Sequence, residues 1–93
     1  MRMDDAQVKQ NMASRLKRIE GQMRGLAAMV AEERDCQEIF QQLTAARSAL
    51  QGASQVFLQA YASRCLLNLE ETVDPVQRER ILTDLIALIG KAG

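Results

Sequence analysis

Histidine and tryptophan are absent from this 93-residue chain, proline occurs once, and aromatic residues make up only 3% of it. Without histidine the chain lacks both the commonest metal ligand and the commonest general base near neutral pH. No apolar run approaches the roughly 18 residues that a bilayer-spanning helix needs, so a membrane role is not expected. The N-terminus is polar and shows no apolar core of a secretory signal. Two cysteines without such a signal point to a reducing cytoplasm, where lasting structural disulfides are unusual. The net charge is zero, which removes any global pull toward nucleic acid or anionic lipid. Strand signals, low-complexity tracts and internal repeats are missing. No general base, phosphate loop or substrate-pocket signature accompanies the thiols, which argues against an enzyme such as a sulfurtransferase.

What is present suits helices packed on helices: Leu, Ala, Gln, Glu and Arg are plentiful. The expected class is all-α, in a single domain over residues 1–93. Charge is unevenly spread: residues 1–25 carry a net +3 and residues 70–84 a net −3. A first helix is expected over about residues 5–32, capped by Asp4 or Asp5. Met12, Leu16, Ile19, Met23, Leu26 and Val30 form its heptad seam. Gly21 and Gly25 interrupt it and suggest close approach of another backbone. Opposite the seam, Arg15, Arg18 and Arg24 form a basic strip, which read alone is a solvated face.

Glu32-Glu33-Arg34 is the expected turn, and a second helix over about 36–71 opens with Asp35-Cys36-Gln37-Glu38, a capping-box pattern. Cys36 then occupies the first helical position. Free N–H groups and the positive end of the helix dipole favour a thiolate there, while the Asp35 carboxylate opposes it. Ile39, Leu43, Ala46, Leu50, Ala53, Phe57 and Ala60 continue the seam, partly with small residues. Tyr61 and Cys65, four apart, share a face. In a continuous helix the two sulfurs lie about 43 Å apart, so they cannot meet within one chain. They meet only if two copies pack antiparallel; otherwise Cys65 reads as a small buried hydrophobe.

Asp74-Pro75 opens a third helix over about 75–90, with Val76, Ile81, Leu82, Leu85, Ile86 and Ile89 apolar and Gly90 and Gly93 ending it. Helices this unequal do not close a compact monomer. Helices one and two pair as an antiparallel hairpin, and two hairpins close a four-helix-bundle dimer.

The run Arg15-Leu-Lys-Arg-Ile-Glu-Gly-Gln-Met-Arg-Gly25, with Asp35-Cys36 and a second Cys 29 residues on, resembles the copper-sensitive operon repressor (CsoR/RcnR/FrmR) family. The likeness runs from about residue 11 to residue 89. It implies a helical dimer of dimers, a homotetramer, that binds operator DNA and releases it when an inducer reacts at an intersubunit site. It also implies that Arg15, Lys17 and Arg18 on the first helix and Arg47 on the second face DNA as a shallow basic surface. Many members carry Arg where this chain has Gly52.

Copper sensors of that family use a Cys matching Cys36 and a His-x-x-x-Cys pair from the partner subunit. Here the pair reads Tyr61-Ala-Ser-Arg-Cys65. Nickel and cobalt sensors need more His, and the formaldehyde-responsive pattern of a Cys with an N-terminal Pro is not matched by Met1-Arg2-Met3. Two thiols without the His resemble the CstR-like persulfide-sensing branch. The resemblance thus implies no cofactor, a small sulfane-sulfur inducer, and Cys36, Cys65 and Tyr61 as the sensing residues. The alternative within the family is Cu(I) held by the thiolates of Cys36 and Cys65. The alternative outside it is a helical protein-interaction module whose cysteines are incidental.

Overall fold

The computed structural model describes residues 2–92, with three helices and no strand among them. They are α1 (Ala6–Ala31), α2 (Cys36–Glu71) and α3 (Pro75–Ala92). The chain falls into two compact units, one of residues 4–53 and one of residues 54–93 with the first three residues. Among the described residues no helix is long and apolar enough to cross a membrane.

Helix boundaries follow local chemistry. Asp5, not Asp4, caps α1: its carboxylate accepts from the N–H groups of Gln7 and Val8, at 2.9 and 3.3 Å. At the other end Arg34 N donates to Met29 O and Glu33 N to Val30 O, the paired bonds of a Schellman turn. That turn needs a left-handed residue, and Glu33 supplies it with φ 57°. A glycine takes that conformation without the Cβ penalty. Asp74 caps α3 through Val76 N at 3.1 Å, with Pro75 at the first helical position. Arg78 of α3 donates to the carbonyls of Leu69 and Thr72, satisfying acceptors at the end of α2.

One expectation is corrected. Gly90 does not end α3, which continues to Ala92. Among the described residues no glycine has positive φ, so Gly90 keeps helical backbone and costs propensity without breaking the helix; Gly93 lies outside the described residues. Within the protomer Gly21 and Gly25 face open space. A Cβ at either would meet nothing within 4 Å.

In the 4–53 unit α1 folds back along the first half of α2. Ile19 and Leu26 of α1 and Ala46 and Ala53 of α2 are buried. The alternate seam positions are not. Leu16, Met23, Leu43 and Leu50 remain 43–50% exposed, and Val30 59%. A hairpin of two helices covers only one of the two flanks of each heptad seam, which is why half of each stripe is left open. In the unit from Ser54 onward the buried residues are Cys65 and Leu69, against an α3 whose Ile86 and Ile89 are open.

Candidate functional site

The two thiols sit in opposite settings. Cys36 is exposed at the first residue of α2. Asp35 holds this helix start: its Oδ2 accepts from Gln37 N at 3.1 Å and Glu38 N at 3.3 Å. The reciprocal half of the expected capping box is replaced, because the Glu38 carboxylate takes the Arg34 guanidinium at 3.0 Å. Cys36 is therefore set on a well-capped helix start and open to a reagent.

Cys65 is buried, 1% exposed. Tyr61, one turn earlier, is half-buried, and its hydroxyl shares a hydrogen bond with the Cys65 thiol. Burial raises the Tyr61 pKa above its usual value, and the Cys65 hydrogen bond, the Cys65 charge and the Asp84 carboxylate raise it further. The phenol thus stays protonated at neutral pH. Phe57, Tyr61, Asp84 and Lys91 line a cleft of about 360 Å³ beside it.

α2 runs from Cys36 to Glu71 and carries both thiols, 29 residues apart in the sequence. Among the described residues no three His, Cys, Asp or Glu side chains cluster as a metal site. The donors that exist are two thiols and a protonated phenol. That set does not fit a trigonal or tetrahedral metal centre; two thiolates from different chains suit at most a two-coordinate soft cation.

The basic residues divide. Arg15, Lys17, Arg18 and Arg47 are all exposed. Arg15 and Arg18 line one cleft of about 360 Å³ together with Asn11 and Ser14. Lys17, two residues from Arg15, lies on another face of α1, and neither it nor Arg47 lines that cleft. Arg24 of the basic strip pairs with Glu20 at 3.3 Å, an exposed i,i+4 contact. Asn11 accepts from Arg15 Nε at 2.8 Å, and Arg15 Nη1 lies 3.7 Å from where a Cβ at Gly52 would be. Asn11 and Ser14 were not singled out from the sequence. Their only signal is the i, i+3, i+4, i+7 spacing they share with Arg15 and Arg18.

Residues 8–91 match the model of a protein family described as metal-sensitive transcriptional repressor. The chain is 32% identical over 84 residues to the copper-sensing transcriptional repressor CsoR of Bacillus subtilis (strain 168), covering 90% of this chain and 83% of that one. It is 40% identical over 60 residues to the copper-sensing transcriptional repressor RicR of Mycobacterium tuberculosis (strain ATCC 25618 / H37Rv), covering 64% of this chain. That match spans 62% of RicR's length. Among solved structures, the nickel-responsive transcriptional regulator InrS superposes with a TM-score of 0.79 at 30% identity, covering 90% of this chain and 91% of InrS. These relatives are transcriptional regulators, not enzymes.

Proposed function

The chain belongs to the metal-sensitive transcriptional repressor family, and on that premise we propose that it is an operator-binding repressor whose signal is a sulfane-sulfur compound read by its two thiols. One observation carries this reading: the position four residues before the buried Cys65 holds a protonated phenol bonded to that thiol, not an imidazole. Sulfur chemistry needs only the thiols.

The working unit is a homodimer assembling to a homotetramer in the cytoplasm. The open half-seams of Leu16, Met23, Leu43 and Leu50 support this, since a second hairpin packed there buries them. Antiparallel pairing brings Cys36 to Cys65 of the partner subunit. Cys36, exposed at a helix N-terminus, attacks the outer sulfur of a hydropersulfide, and the donor leaves as its thiolate. Cys65 of the partner subunit then attacks Sγ of the modified Cys36 and expels hydrosulfide, forming a disulfide. With a polysulfide donor, attack farther along the bound chain expels a shorter sulfide and retains sulfur, giving a tri- or tetrasulfide. The bridge favours an assembly in which Arg15, Lys17, Arg18 and Arg47 no longer match the DNA backbone, and the operator is released.

A second reading is favoured by the two copper-sensing relatives: Cu(I) bound linearly by the thiolates of Cys36 and Cys65 of the partner subunit. Binding to the promoter segment upstream of the protein's own gene, followed by anisotropy, tests the site. Cys36→Ser should bind that DNA as wild type does and fail to release it on treatment with an organic persulfide. Release by the variant removes Cys36 from the sensing step, and failure of the unmodified protein to bind DNA removes the repressor reading.

A further inference from the structure

Every residue lining the cleft beside Tyr61 belongs to one compact unit, the chain from Ser54 onward with the first three residues. Phe57 and Leu88 give it an apolar wall, and Arg2, Lys91, Asp84 and the Tyr61 hydroxyl give it polar groups. Phe57 and Tyr61 are one turn apart on α2, and Asp84, Leu88 and Lys91 follow at i, i+4 and i+7 on α3. Each helix thus contributes one stripe. Long helical side chains lean toward the helix N-terminus, which brings the Lys91 ammonium back over Leu88 toward Asp84. Among the described residues Asp84 forms no ion pair with Arg2 or Lys91. Two cations and a carboxylate therefore face one cleft unpaired with each other. Its volume of about 360 Å³ lies at the small end of small-molecule pockets. An inorganic anion there meets Asp84, and a simple cation meets Arg2 and Lys91. A ligand that carries both signs close together satisfies all three.

We propose that this cleft binds a small zwitterion, an α-amino acid, with its carboxylate on Arg2 and Lys91 and its ammonium on Asp84. Resting on the sulfur-responsive reading, the ligand is the donor itself, an α-amino acid whose side chain ends in a hydropersulfide, as in cysteine hydropersulfide. Phe57 and Leu88 take the side chain, and its sulfur lies at Tyr61, whose hydroxyl bonds the Cys65 thiol. The thiolate of Cys36 of the partner subunit attacks the outer sulfur. The donor's S–S bond breaks, its electron pair goes to the inner sulfur, Cys36 keeps the –SH, and the amino acid leaves as cysteine thiolate. The cleft does no chemistry; it holds the donor beside the two thiols.

The test uses the reduced full chain and S-methyl-L-cysteine, a zwitterion of that shape with no sulfur to transfer. Tyr61 is the only tyrosine and tryptophan is absent, so intrinsic fluorescence reads the cleft directly. Saturation transfer to the S-methyl protons reads binding independently. Binding should saturate with a Kd of about 1 mM. 3-(Methylthio)propanoate lacks the ammonium and 2-(methylthio)ethylamine lacks the carboxylate. Each should bind at least about fivefold more weakly, the size of one exposed ion pair. Asp84→Asn should lose the preference over the propanoate, and Arg2→Gln combined with Lys91→Gln should lose the preference over the amine. Variants that weaken all three probes together and keep their order would overturn the assignment. So would inorganic sulfate that displaces S-methyl-L-cysteine at equal concentration, or no signal by either method up to about 10 mM.

The donor step is read by anaerobic intact-mass spectrometry. Sulfur addition from cysteine hydropersulfide should level off in rate as its concentration rises. With the donor dilute, S-methyl-L-cysteine at its Kd should slow it about twofold. Benzyl hydropersulfide, which carries no amino-acid group, should react in linear proportion to its concentration and ignore the competitor. Linear, uninhibited rates for both donors would overturn the donor seat and leave the sulfur-responsive reading standing. Sulfur addition from neither would overturn that reading and the donor assignment with it.

Discussion

The two thiols of α2 have the same side chain and opposite circumstances. Cys36 is exposed on the first turn, where Asp35 and the Arg34–Glu38 pair fix the backbone and leave the sulfur open. Cys65 is buried and hydrogen-bonded to Tyr61. In a two-step sulfur transfer these are the two roles required. One thiol meets a reagent from solution, and the other is kept from solution until the first presents it with a sulfur to attack. A metal site asks for the reverse, several donors converging at once with their protons gone.

The largest effect is expected from changing the weakest donor, Tyr61. Tyr61→His places an imidazole one turn from Cys65 and, in the proposed antiparallel dimer, completes a Cys–His–Cys donor set. Cu(I) affinity, read by competition with a chromophoric chelator, should rise by roughly 100-fold or more. An unchanged affinity would mean that residue 61 does not face the site. Next in size is the difference in reagent access. In the reduced native protein, iodoacetamide should label Cys36 at least about tenfold faster than Cys65, and equal labelling should appear in denaturant. Equal native rates would remove the contrast on which the two roles rest.

Smaller effects probe each end separately. Tyr61 is the only tyrosine of the chain, so absorbance near 295 nm titrates it alone. Its midpoint should lie above the ordinary tyrosine value and fall in Cys65→Ala, which removes the bonded thiol. Because the folded state raises this pKa, the stability it contributes is fully present below the unfolded value and is lost as pH rises through the folded one. Alkaline unfolding should therefore begin at higher pH in Tyr61→Phe. At the turn before Cys36, Glu33→Gly should stabilise the fold by about 0.5–1 kcal/mol in urea melts, since Glu33 adopts φ 57°.

Features carried by local rules were legible. Asp35, Asp74 and Pro75 announced where α2 and α3 begin, because a cap needs only its own helix turn. The i,i+4 relation of Tyr61 to Cys65 was readable for the same reason. Gly90 misled because a glycine can sit inside a helix at modest cost when its neighbours favour one. Asn11 escaped notice because a polar residue on an exposed face breaks no hydrophobic period. Its partner Arg15 gains meaning only from Gly52, which lies far along the chain and meets it through the hairpin. The half-open seam was equally hidden, since a heptad stripe does not reveal which of its flanks the first partner will cover.

The most direct measurement is anaerobic intact-mass spectrometry, without reductant, on protein treated with an organic persulfide and separately with one equivalent of Cu(I). The expected product is a covalent dimer joined between Cys36 and Cys65 of the partner subunit by two to four sulfurs, with Cu(I) bound only weakly. Tight Cu(I) binding with no covalent dimer would contradict it and make copper the signal.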